Sequence, residues 1–449
     1  MTITVLTPTG TLGYGFGIEA LHRGVSLGPD VIAVDAGSTD PGPAYLGAAE
    51  PLCARQVVKR ELAQLLDARQ TAGVPLVVGS AGGSGRGELV DWTCDIVREL
   101  CVEQNMSIKL AWIYADIEAR RVLHALDHDE IRDHEAGFMP SRHDVESSSA
   151  IVAQMGWEPI ANALDMQADV VICGRACDDL AIAADAIRRG ADVGLATHMG
   201  KILECGAFSA EPFAMDVMLG FLENDHFSLE PGSMERRASL KSVAAHSLYE
   251  REDPFLQHGP GGSVDLTACS FEQQGERRVK VSGARFIPES ECWYKLEAAR
   301  QVGFRSLCMG GIRCPTMIER LDELLEGARR RTVEHFSADH LNISFRAYGR
   351  DAVMDALEPK RRTPSHEIGL LMDVTAQSQE LAHAACHFLS GHLLHVAYDG
   401  QKNTSGNLAF PYSPSDIDAG PVYEFSLYHL MKAVSPTELF PVHIETLRC

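Results

Sequence analysis

Three groups of side chains in the first two-fifths of the chain have the types and spacing of a small-molecule site. Asp35, Ser38, Thr39 and Asp40 follow the apolar run 31–34, Ser80, Gly82, Gly83 and Arg86 follow 75–79, and Arg175 and Asp178 follow 170–173. The oxygen-only set Asp35–Asp40 suits Mg²⁺ or Mn²⁺ or a substrate hydroxyl, although the same residues also make an ordinary Asx turn with a helix cap. The glycines of 79–87 free backbone N–H groups to face an anion, with Arg86 adding charge. The plainer alternative is a tight turn bearing an exposed arginine. Arg175 has the fork that clamps a carboxylate, and Asp178 serves beside it as a base or as the cap of the next helix.

Further candidates lie downstream. Glu204 and Cys205 in KILECGAF suggest a substrate contact and a nucleophile, but a cysteine on an apolar helix face is usually core. His246 with Tyr249 and Glu250, and Lys295 with Glu297, are titratable groups inside apolar patterns. They suit acid–base work, with mutual salt bridging as the plainer reading. His124, His128 and His134 lie among acidic residues, a pattern that suits metal ligation but reads more simply as a solvated charged helix. His383 and His387 fall at i,i+4, with His392 and His395 beyond, but no H-E-x-x-H arrangement accompanies them, so zinc is not expected there. Gly13, Gly15 and Gly17 fail the dinucleotide spacing, as do Gly83, Gly85 and Gly87, and no Walker lysine is present. NAD, ATP and an iron–sulfur cluster are not expected.

The elements that must position these residues alternate. Strands are expected at 3–8, 31–35, 75–79, 110–117 and 170–173, and helices at 56–70, 88–103, 150–167 and 180–189. A charged helical stretch runs to His134, and a loop covers 137–149. This is the βαβ pattern of a doubly wound parallel sheet, a Rossmann-like α/β fold over residues 1–230. Beyond it, longer strands and two helices, 315–335 and 377–390, predict a smaller α+β domain over 231–449 that contributes to the site and to oligomer contacts. Open parallel sheets bind ligands beyond the carboxyl ends of their strands, where all three groups would meet.

Composition narrows the partners. The 449 residues carry 40 Lys plus Arg against 62 Asp plus Glu, a net charge of −22 that repels nucleic acid and anionic membranes. No basic leader precedes an apolar segment, and no run approaches a membrane span. The twelve cysteines form no C-x-x-C pair, so a zinc knuckle is unsupported. The expected location is the cytoplasm.

Eight motifs fall in order along the chain: PTGTLGYGF, DVIAVDAGSTDPGPAYLG, VVGSAGGSG, ADVVICGRACDD, GKILECGAFSAEP, AAHSLYERED-PF, GPGGSVDL and WYKLEAARQVG. Through them the chain resembles the acyclic terpene utilisation family from about residue 3 to Glu424. The resemblance implies bacterial catabolism of branched acyl-CoA or of di- and tricarboxylates, together with a small companion subunit. Where the family often reads GRSSD, this chain has Gly174-Arg175-Ala176-Cys177-Asp178, which replaces two hydroxyls and keeps Arg175 and Asp178.

The expected activity is that of a lyase, a hydro-lyase acting on a small hydroxy-carboxylate or its CoA thioester. Arg86, Arg175 and the loop with Ser80, Gly82 and Gly83 would bind the carboxylate, helped by Ser38, Thr39 and Glu204. Asp35, Asp40, Asp178, His246 and Lys295 would move protons, with Asp35 and Asp40 holding a metal. The alternatives are a C–C lyase on a branched 3-hydroxyacyl-CoA and a non-catalytic assembly subunit. A homo-oligomer is expected, with the aromatic stretch from Phe410 through Phe425 to Tyr428 as its contact surface.

Overall fold

The computed structural model describes residues 2–134, 136–250, 253–337, 341–363 and 365–448. The first strands are β1 (Ile3–Thr7), β2 (Val31–Asp35), β3 (Leu76–Gly79), β4 (Ile108–Ile113), β5 (Ile131–Asp133), β6 (Ala150–Ala153) and β7 (Val170–Cys173). Five of them pair in parallel in the order β1-β2-β3-β7-β4, as the α/β pattern predicts. The sheet is not wholly parallel, however. Antiparallel strands extend it to ten: Met218–Leu222, His226–Pro231, Arg278–Ser282 and Ser270–Gln274 beyond β1, and Val442–Leu447 beyond β4.

Each parallel strand is buried on both faces, which is why it reads as a nearly continuous apolar run. Ile32, Val34, Leu76 and Val78 pack with the helices Arg55–Ala72 and Gly87–Glu103 on one face. Val31, Ala33, Val77 and Val171 pack with Asp178–Arg188 and Val193–Leu203 on the other. β3 therefore sends its chain to a helix on one face, while its neighbour β7 sends its chain to the opposite face. Such a divergence between adjacent parallel strands opens a crevice at their carboxyl ends.

The chain forms two compact units, residues 1–300 with 425–449, and residues 301–424. The expected break near residue 230 falls at the end of His226–Pro231, inside the ten-stranded sheet. The second unit is an antiparallel ladder in which Phe304–Ile312 pairs with Ile368–Ala376, and that strand with Asn342–Tyr348. The helices Leu321–Phe336 and Gln379–His395 cover it through Leu325, Ala328, Cys386 and Leu389.

Three local expectations are corrected. The stretch 150–167 is not one helix: β6 occupies its start and Glu158–Asp165 its end, because β6 pairs with Leu296–Ala299 of the strand Cys292–Ile312. The charged helix stops at Asp127, and β5 follows, paired with His429–Met431. The loop 137–149 contains the short helix Arg142–Glu146, closed at its start by a reciprocal Ser141–Asp144 capping box. The stretch 410–428 belongs largely to the strand Asp416–Ala433; in it Tyr412 and Phe425 are exposed, while Tyr428 is partly buried. Among the described residues no helix is long and apolar enough to cross a membrane.

Candidate active site

Beyond the carboxyl ends of the parallel strands lie two cavities that share Asp40, Asp178, Glu204 and Glu250 as their common wall. The first, about 420 Å³, carries Asp35, His246 and Cys205 together with the apolar side chains Phe208, Phe213, Met215 and Tyr249. The second, about 580 Å³, carries Arg175, Lys201 and Lys295, with Arg132, His134 and Trp293 also in its lining. One cavity thus offers hydrocarbon surface beside acid–base groups, and the other offers cations.

Asp35 ends β2, where the strand delivers it to the crevice. Its Oδ2 accepts the Gly37 N–H at 2.9 Å, whereas the buried Oδ1 has no partner. Burial, followed by the Asp178 carboxylate, raises its pKa well above the usual carboxyl range, against the opposing pull of Arg175. His246 lies on the helix Leu240–Ser247, stacks on Tyr249 at 5.3 Å and leaves a buried Nε2 unpartnered. Burial, helped by Lys201, pushes it down to about 4, so its imidazole is neutral at pH 7. Glu204 closes the helix Val193–Leu203 and accepts Lys201 Nζ at 2.5 Å. Burial raises its pKa despite Lys201, and burial raises that of Asp178 despite Arg175. Burial and then Glu204 push the Cys205 pKa up, which disfavours the thiolate that a nucleophile needs.

Arg175 is the hub of the cationic side. Its Nε donates to Glu297 at 2.7 Å, and its Nη1 to Asp178 and the Ala176 carbonyl at 2.9 Å each and to Ser80 Oγ at 3.3 Å. Lys295 binds the other Glu297 oxygen at 2.8 Å and donates to the Tyr428 hydroxyl at 3.2 Å. Burial alone would raise the Glu297 pKa, but Arg175 and Lys295 outweigh it and hold the carboxyl at about 2. Lys295 therefore makes the expected salt bridge and also lines the second cavity.

Several sequence candidates stand outside both cavity linings. Ser38 accepts the Asp40 N–H in a local turn, and Thr39 is buried. Ser80 shapes the Arg175 turn. The glycine loop is filled by protein: a Cβ on Gly83 would meet Leu52, and one on Gly85, at φ +68°, would lie 2.2 Å from the Arg175 nitrogen. A Cβ on Gly82 would meet Leu89. Gly85 lets the β3 and β7 loops touch, and Gly82 and Gly83 let Leu89 and Leu52 pack close, so the packing reading fits them better than an anion cradle. Arg86 donates to the Leu46 and Gly47 carbonyls and forks onto Glu88. Arg86→Ala is accordingly expected to cost about 1–3 kcal/mol of stability and to leave ligand affinity within about twofold. Denaturant unfolding and calorimetry check the two halves.

The first glycine turn is likewise engaged, since Gly13 N–H donates to Glu61 at 2.6 Å. For the metal expected at Asp35 and Asp40, no three His, Cys, Asp or Glu side chains converge among the described residues. Asp40 sits exposed on the lip, so no step is routed through an ion.

Sequence reasoning passed over Lys201, Phe208, Phe213 and Met215. Lys201 sits in a largely apolar helix, Phe208 follows in the short 3-10 turn Gly206–Ser209, and Phe213 and Met215 lie in the segment before Met218–Leu222. No curated protein and no solved structure matches the chain. The family described as acyclic terpene utilisation family protein AtuA matches residues 52–228 and 231–412, most of the sequence and both compact units. The chain belongs to the AtuA acyclic terpene utilisation family.

Proposed function

We propose that the protein is a lyase of acyclic terpene catabolism that removes or adds water on a hydroxy-carboxylate or its CoA thioester carrying a branched hydrocarbon arm. The observation that supports this most is one cavity lined by both a carboxyl whose pKa is raised by burial, with an unpartnered oxygen, and a neutral imidazole with an unpartnered nitrogen. His246 takes the α-proton, the C–O bond breaks, and the hydroxyl leaves as water with the proton of Asp35. An anionic group bound beside His246 raises its proton affinity from the low value of the empty cavity toward the working range. Lys295, with a donor left after Glu297 and Tyr428, binds the carboxylate or thioester oxygen. Phe208, Phe213 and Met215 receive the apolar arm.

The test is to incubate the purified chain with branched and straight 3-hydroxyacyl-CoA thioesters and with hydroxy di- and tricarboxylates. Each is run with and without EDTA and with and without the small companion chain that the family resemblance implies. Unsaturated product with branched thioesters, formed by the chain alone, is the expected result. Cleavage to two shorter acids would replace water loss by C–C scission, which uses the same proton donor and acceptor. No turnover in any arm would leave the reading without support and favour an assembly subunit.

A further inference from the structure

We propose that His383 and His387, in the second unit, form a surface site for a borderline transition-metal ion such as Zn²⁺ or Cu²⁺. The two residues stand at i,i+4 on the helix Gln379–His395, hence one above the other on the same face. Each ring is held from behind. His383 Nδ1 pairs with Asp418 Oδ1 at 2.9 Å, and His387 Nδ1 with Asp416 Oδ2 at 2.8 Å. The two carboxylates alternate along the strand Asp416–Ala433 and share one of its faces. They are fixed in turn: Asp416 also accepts Ser390 Oγ at 3.1 Å, and Asp418 accepts Ser306 Oγ at 2.8 Å.

An imidazole whose Nδ1–H is donated to a carboxylate carries its lone pair on Nε2. That carboxylate–histidine arrangement raises ligand basicity and fixes ring orientation in metal centres. Both Nε2 atoms are without a hydrogen-bond or ion-pair partner among the described residues, and the side chains are 47% and 74% exposed. Buried Asp416 and the partner carboxylate Asp418 place negative charge directly behind the ligands, offsetting the charge of the ion. Imidazole donors select Zn²⁺, Cu²⁺ or Ni²⁺ over Mg²⁺. Since no three such ligands converge among the described residues, water fills the outer coordination positions.

Titration calorimetry of chelator-stripped full-length protein with Zn²⁺ alone, and then with Mg²⁺ alone, tests the site. The expected result is one Zn²⁺ per chain that Mg²⁺ does not displace. Binding at this site should fall at least tenfold in His383→Ala and in His387→Ala, and 10–100-fold in Asp416→Asn through loss of ring support. Other histidines and cysteines can bind Zn²⁺ weakly, so the difference between proteins is the readout. Unchanged stoichiometry and affinity in the doubly substituted His383→Ala/His387→Ala protein would overturn the proposal. The two histidines are exposed, so the variants are expected to stay folded, which circular dichroism checks.

Discussion

Asp35→Asn and His246→Gln should each lower kcat by about 10²–10⁴-fold on the substrate found by the thioester and carboxylate panel, the range for loss of a positioned acid or base. Asn at position 35 keeps an oxygen to accept the Gly37 N–H but has no proton to transfer, so the effect should lie on kcat rather than on folding. In the wild type, His246 must enter neutral and Asp35 protonated. With the imidazole held at about 4 by burial and by Lys201, activity of the free enzyme rises on the acid side near that pH. It falls on the alkaline side as Asp35 ionises, above the ordinary carboxyl range, because burial and Asp178 disfavour its charge. Asp35→Asn should remove the alkaline limb from the residual kcat/KM profile, and His246→Gln the acid one. If both variants keep kcat within threefold of wild type, the two residues are not the acid and base.

Glu297 carries the second large effect. It is buried between Arg175 and Lys295, and removing one member of a buried ionic group leaves the others without compensation, typically a loss of about 3–5 kcal/mol. Glu297→Ala should show that loss at pH 7. The milder Glu297→Gln keeps the shape and isolates the charge. The sign with pH follows from the lowered pKa. A carboxyl at about 2 when folded, against 4.5 when free, stabilises the fold fully above 4.5 and loses that contribution as pH falls toward 2. The difference amounts to about 3 kcal/mol. His246, lowered from 6.5 to about 4, likewise contributes above 6.5 and loses that contribution as pH falls toward 4. Asp35, Asp178 and Glu204 act oppositely: their raised pKa values favour the fold at low pH, and that contribution is lost as pH rises through them. Urea unfolding from pH 7 to pH 3 should therefore show Glu297→Gln approaching wild type on acidification. A gap independent of pH, or below about 1 kcal/mol at pH 7, would mean that the charge of Glu297 does not hold this network.

The strands that deliver the site were legible because their information is local. Val31–Asp35, Leu76–Gly79 and Val170–Cys173 are short apolar runs bounded by glycine, proline and acidic residues. Burial on both faces of a parallel sheet leaves such runs little choice of composition. The same locality placed Asp35, Arg175 and Asp178 at the carboxyl edge before any partner was known. It failed at β6, whose four apolar residues suit a helix equally well until Leu296–Ala299, more than 140 positions away, supplies the ladder. It failed again at 79–87, where the glycine count suggests an anion, yet Leu52, Leu89 and the Arg175 backbone occupy the space. Glu297 shows the limit most clearly. In sequence it is one charged residue beside Lys295, and only the fold brings it to Arg175, 122 positions away, and buries the three charges together. Local composition determined that the doubly buried segments Val31–Asp35, Leu76–Gly79 and Val170–Cys173 became strands and what their ends carried. Which of those ends face empty space, and which are filled or neutralised by protein, was decided by contacts that exist only once distant segments have closed on one another.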